Sequence, residues 1–196
     1  MTVQWSESLI GSHLVRNLFQ RKYVVIVDNC NWTGNECDLL CVTPSLHIVD
    51  VEIKISRADL KADAVKNKWW QYFSGRYSGV DENGRAQYAT PPSVAKPWPD
   101  RVWKHYYALP AAIWKPELLD CLPSPNSGVI LLHETDYGGV SHDVARRAKP
   151  CNDAPKITPE AVNNIARLAT LRLWDAYDRV RQAQGDAEYW RKQVKA

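Results

Sequence analysis

Three side chains within residues 36–54 have the types and spacing to act together on a phosphodiester: Asp38, Glu52 and Lys54. Alternate side chains of a β-strand share a face. Asp50, Glu52 and Lys54 would therefore line one side of a strand whose other side carries Val49, Val51, Ile53 and Ile55. On the preceding run Glu36 and Asp38 share a face, opposite Cys37 and Leu39. If the two runs pair as a hairpin with their polar faces together, Asp38 and Glu52 come within reach of one cation. Carboxylates gathered in this way resist joint ionisation. A divalent ion relieves the repulsion, and hard oxygen ligands suit Mg²⁺ or Mn²⁺. Such an ion lowers the pKa of a bound water and stabilises charge on a phosphoryl oxygen. Lys54 would orient the attacking water or neutralise the charge that develops. An isolated Glu-x-Lys is common on the solvated face of an edge strand. Here an acid on the previous run, a strongly apolar alternate face and a basic helix directly after it add context.

The elements that must position these groups follow from periodicity. Residues 6–20 predict a first helix, with Leu9, Ile10, Leu14, Leu18 and Phe19 near helical spacing and Ser6 as N-cap. Residues 23–28 suit a buried strand, 29–35 a turn, and 36–43 and 46–55 two more strands joined at Pro44-Ser45. Ser56 then caps a helix over residues 57–74, with Asp59 in its first turn, where the dipole favours an anion. Residues 79–101, with four prolines, are expected to be a long surface loop. Residues 102–109 and 128–133 predict two further strands, with a short helix near 116–121 between them and a basic stretch over 144–150. Thr158-Pro159-Glu160 opens a helix expected to reach Ala183 before Gly185, with a shorter helical piece beyond.

At this point Asp38 followed by Glu52-Ile53-Lys54 resembles the PD-(D/E)xK signature on adjacent strands. More narrowly, residues 51–63 with Lys68-Trp69 after them resemble the MmcB-like DNA repair family. The likeness continues weakly through Tyr106-Tyr107-Ala108-Leu109-Pro110, Leu118-Leu119, Gly128-Val129-Ile130 and residues 144–148, a little over half the chain. It implies Asp38 and Glu52 as metal ligands and Lys54 as the catalytic lysine. It also points to a Glu on the first helix, for which Glu7 matches and His13 is the less favoured choice. The 79–101 loop is longer than that part of the pattern, and the extension over 158–196 has no counterpart in it. The fold it implies is α/β, a central mixed sheet of about five strands flanked by helices in the restriction-endonuclease-like arrangement. A nuclease-like domain over residues 1–150 would be followed by a helical C-terminal extension over 151–196.

The expected activity is Mg²⁺- or Mn²⁺-dependent hydrolysis of DNA, in repair or for a mobile element. The alternative is a catalytically silent nucleic-acid-binding or assembly module on the same fold. Arg57, Lys61, Lys66 and Lys68 are the candidate phosphate contacts, with the solvated face of an amphipathic helix as their plainer explanation. Asp59 and Asp63 suit helix capping or pairing with those lysines. Trp69, Trp70 and Tyr72 offer stacking faces, although adjacent positions point several ways and at least one must enter the core. His47, His105, His133 and His142 form no spaced ligand pair. Arg146, Arg147 and Lys149 are a second candidate patch.

The balance of 45% hydrophobic and 24% charged residues over 196 positions fits one globular unit with a real core. A formal charge of +3 requires any nucleic-acid footprint to be local. Five cysteines without paired CxxC spacing suit cytoplasmic thiols. No long apolar run predicts a membrane span. No phosphate loop or nucleophile elbow supports nucleotide use or serine hydrolysis. Trp174, Tyr177 and Trp190 on the last helix would bury a partner, including a second copy, or fold back on the core.

Overall fold

Ser6 caps the first helix as its spacing predicts: its Oγ accepts the Leu9 N–H at 3.2 Å, and α1 runs Glu7–Leu14 with Ile10 and Leu14 buried. One π-type turn, Val15–Phe19, completes the predicted span. The computed structural model describes residues 3–194, giving the backbone alone at 188–190 and 192–194. Then come β1 (Val25–Cys30), β2 (Cys37–Val42) and β3 (Ile48–Ile53), followed by α2 (Arg57–Ala62), which Ser56 caps through the Asp59 N–H. Short strands β4 (Trp70–Gln71), β5 (Arg76–Val80), β6 (Ala86–Ala89) and β7 (Val94–Ala95) lead to β8 (Val102–Pro110). The chain ends with β9 (Gly128–Glu134), β10 (Val140–Arg146) and α3 (Pro159–Val194).

Six strands form the main sheet in the order β1-β2-β3-β8-β9-β10. The outer pairs are antiparallel, while β3–β8 and β8–β9 are parallel. The central strands are buried on both faces, as parallel pairing requires. On one face α1 and the π-type turn after it pack Ile10, Leu14 and Phe19 against Leu39, Cys41, Val49, Val51 and Ile53. Elsewhere Ile157 and Ile165 of the C-terminal segment meet Leu40, Val42 and Ile48, and Leu60 and Trp69 meet Tyr107, Leu109 and Val129. The fold is thus mixed α/β, with the C-terminal helix packed on β1 through its first turns.

Four expectations change. The helix after Ser56 stops at Ala62, not at residue 74, because Lys68 and Trp69 turn into the core through two short 3₁₀ segments. Residues 79–101 are not one loop: β5 and β6 form a hairpin about Asn83-Gly84, with Gly84 at φ 75° and Asp81 Oδ1 accepting the N–H groups of Asn83 and Arg85. The sheet gains a sixth strand, β10, from residues that overlap the basic stretch over 144–150. The last helix passes Gly185 unbroken to Val194. Trp174 and Tyr177 are exposed on it, edge to face at 5.8 Å, and do not fold back on the core. The side chain of Trp190 lies outside the described residues. All five cysteines are free. Among the described residues no helix is long and apolar enough to cross a membrane.

Gly128 opens β9 where a side chain has no room. A Cβ there would run into the Tyr106 ring and lie 2.7 Å from the Ala148 backbone nitrogen. Gly128→Ala is therefore expected to cost about 1–3 kcal/mol of stability, read by urea denaturation. A loss too small to measure would mean that the β8–β9 contact yields easily.

Candidate functional site

The β2–β3 hairpin forms as the sequence predicts, with Leu39 opposite Val51 and Leu40 opposite Asp50. At its open end the ladder is replaced by a side chain: Asp38 Oδ2 accepts the Ile53 N–H at 2.7 Å. Asp38 thereby meets the backbone between Glu52 and Lys54. The alternation of β2 also breaks here. Cys37 packs with Leu40 and Val42, not with Leu39 and Cys41. Opposite, between the pairs Asp28–Leu39 and Cys30–Cys37, Asn29 takes a φ of 44°. Asp38 and Leu39 consequently both line a cleft of about 410 Å³ against α1, together with Glu7, Gly11, Arg16 and Ile53.

Glu52 and Lys54 do not line that cleft. They belong to a buried ionic cluster on the side of Asp63 and Lys68. Lys54 Nζ lies 2.8 Å from Glu52 Oε2 and 3.4 Å from Asp63 Oδ1. Lys68 Nζ lies 2.6 Å from Glu52 Oε1 and 3.6 Å from Asp50 Oδ2. Lys66 reaches over from solvent, 2.8 Å from Asp63 Oδ1 and 3.4 Å from Glu52 Oε2. The side chains of Glu52, Lys54, Asp63 and Lys68 are at most 3% exposed, whereas that of Lys66 is 46% exposed. Asp63 Oδ2 is fixed by the Tyr107 hydroxyl at 2.6 Å and the Trp69 indole N–H at 3.0 Å. His105, also buried, bonds Ser127 through Nδ1 at 3.0 Å and turns Nε2 toward Asp50 at 3.7 Å.

Burial in low dielectric must be offset by counter-charge. Burial alone would raise the Glu52 carboxyl, but Lys68 and Lys54 hold it down to about 2. Burial would lower the Lys54 ammonium, but Glu52 keeps it above its ordinary range. Asp50 is different. Burial lifts it to about 7, with the charge on Glu52 adding to the rise and Lys68, 3.6 Å away, only partly opposing it. Burial also pushes His105 down to about 3, so its ring is neutral. Asp38 is pushed up to about 6 by burial and then by the charge on Glu52, with Glu7 adding to the rise and the Ile53 N–H opposing it.

The structure thus joins Glu52 to Lys54 and brings Asp38 to the backbone between them. Glu7 is exposed on the Asp38 cleft, and the predicted three-carboxylate set is not drawn together: among the described residues no three His, Cys, Asp or Glu side chains converge as a metal cluster. Two carboxylates still suit Mg²⁺, which is commonly held by one or two of them with water or phosphate in the other positions. Asp38, raised by burial and then by the charge on Glu52, has the chemistry of such a ligand. His13 is turned to His142, with Nε2 and Nδ1 2.9 Å apart. Of the four predicted phosphate contacts, Arg57, Lys61 and Lys66 are exposed. Lys68 is not: it is the internal counter-ion of Glu52 and Asp50 and does not face an external phosphate. Trp69 is core, whereas Tyr72 is exposed with its hydroxyl on Asn67.

Sequence reasoning missed the parts played by Asp50 and Lys68, whereas Asp63 pairs with Lys66 and Lys68 as expected of it, and His105 is a buried structural histidine on Ser127. For Asp50 a signal was present, since it shares the parity of Glu52 in a run apolar on its other face. The class that the fold defines is a mixed α/β protein on a six-stranded sheet. No family model matches the chain, and no curated protein matches it. Among solved structures it is similar to the SPO1766 protein of unknown function from Silicibacter pomeroyi, at 18% identity and a TM-score of 0.45 over 94% of each chain.

Proposed function

We propose that this chain is a metal-dependent nuclease of the PD-(D/E)xK type, similar to the MmcB-like family, hydrolysing DNA phosphodiester bonds in repair or for a mobile element. The observation that carries the reading is Asp38 on the Ile53 N–H, between Glu52 and Lys54, across one antiparallel hairpin. Asp38 and Glu52 would hold the ion once a lysine yields one of the Glu52 oxygens, with Glu7 on the same cleft as Asp38. Mg²⁺ or Mn²⁺, when bound, supplies an activated water and charge stabilisation at the phosphate. Lys54 would orient that water and offset charge on the phosphoryl oxygens. Arg57, Lys61 and exposed Lys66 bind flanking phosphates. The test is cleavage of plasmid and single-stranded DNA with Mn²⁺ by the wild type, Asp38→Ala and Lys54→Ala. Equal activity in all three rejects the reading.

One observation favours a second reading, a silent nucleic-acid-binding module: lysines already occupy both oxygens of Glu52. Calorimetry separates the two, because only the nuclease requires Mn²⁺ binding that disappears in Asp38→Ala. The pH dependence follows from the Asp38 carboxyl near 6. The proton competes with the ion, so Mn²⁺ affinity is expected to fall about tenfold per pH unit below 6 and to level off above about 7. A flat profile between pH 5 and 8 would exclude Asp38 as a ligand.

A further inference from the structure

We propose that Asp63 is a positioning residue for Lys54, holding its ammonium at the end of β3 when Glu52 is engaged by the ion; this rests on the nuclease reading above. A carboxylate bound to a divalent cation has less charge to offer a neighbouring ammonium, and the cation repels that ammonium. Lys54 then needs a second anchor that does not move. Asp63 has the construction for it. Its side chain is fully buried, and Oδ2 is taken by Tyr107 from β8 and by Trp69 from the segment after α2. That fixes the carboxylate plane and leaves Oδ1 toward Lys54 at 3.4 Å and Lys66 at 2.8 Å. Lys68, together with the bonds from Lys66 and Tyr107, outweighs burial and holds the carboxyl well below the usual range, so it stays charged. Asp59 is the internal comparison: it lies 3.9 Å from Lys54, is 39% exposed and has no such anchors.

Single-turnover cleavage with Mn²⁺ tests the role. Asp63→Asn retains an oxygen to accept from Tyr107 and Trp69 but removes the charge. The rate is expected to fall on the order of 10²-fold, the effect of a misplaced catalytic group. DNA affinity, measured by anisotropy with Ca²⁺ in place of Mn²⁺, should stay within about twofold. Asp63→Glu should recover part of the rate, and Asp59→Asn should resemble the wild type. An unchanged rate, or a loss of rate matched by a loss of affinity, overturns the proposal. A crystal structure of Glu52→Gln gives a readout independent of activity: Lys54 Nζ should remain at ion-pair distance, ~4 Å, from Asp63. A Lys54 swung away from Asp63 overturns it. If Glu52→Gln does not fold, Glu52→Asp is examined in the same way. Should the wild type fail to cleave, the nuclease reading falls by itself, and the position of Lys54 in the Glu52 variant still decides the role of Asp63.

Discussion

Replacing Lys68 by alanine is expected to lower the unfolding free energy by about 3–5 kcal/mol, because removing one partner strands the others as buried charge. The Lys68 side chain is 3% exposed, and its ammonium stands 2.6 Å from Glu52 and 3.6 Å from Asp50. Solvent screening therefore gives little relief. The cost should shrink when a carboxylate leaves with it: Lys68→Met with Asp50→Asn is expected to recover part of the loss, since removing both members of a buried pair is often near neutral. Urea denaturation of the two variants measures this. A single-variant loss below about 1 kcal/mol would place Lys68 in a wetter setting than its contacts indicate.

Lys54→Ala carries the largest expected effect on turnover. Removing one preorganised donor aimed at developing charge typically slows reaction about 10²–10³-fold. Single-turnover cleavage should fall by that factor while DNA affinity changes little, because the exposed cations Arg57, Lys61 and Lys66 remain. Lys54 is as buried as Lys68, so its loss also costs stability, and the rates are compared on protein shown to be folded by circular dichroism, with Lys66 and Lys68 still paired to Glu52. Undiminished cleavage by a folded Lys54→Ala would remove Lys54 from the chemistry.

Much of the hairpin was legible because its signals are local. Alternation in residues 46–55, the turn at Pro44-Ser45 and the two Ser N-caps depend on neighbours a few positions away, and each appears where expected. Of the ionic cluster only the pairing of Asp63 with its neighbouring lysines was legible. Lys68 looks like one more solvated lysine until β8 delivers Tyr107 and His105, and the segment after α2 delivers Asp63. Helical continuation past Ala62 lost to tertiary demand, because Trp69 reaches the core only if the backbone leaves the helix. β10 escaped notice because Ser141, His142 and Asp143 interrupt its apolar pattern, as suits an edge strand. The β5–β6 hairpin did carry a usable signal, the Asn83-Gly84 pair.

β3 has two unlike neighbours, and this sets an order of assembly. Its partnership with β2 closes across five residues, Thr43 to His47, whereas β8 arrives only after α2 and four short strands. Contacts between near segments cost less chain entropy and form sooner. Asp50 and Glu52 must therefore spend the early stages of folding in water, as ordinary hydrated acids. Their desolvation is deferred until β8 docks and the segment bearing Lys68 closes over them, so the electrostatic character of this region is a late product of the folding route.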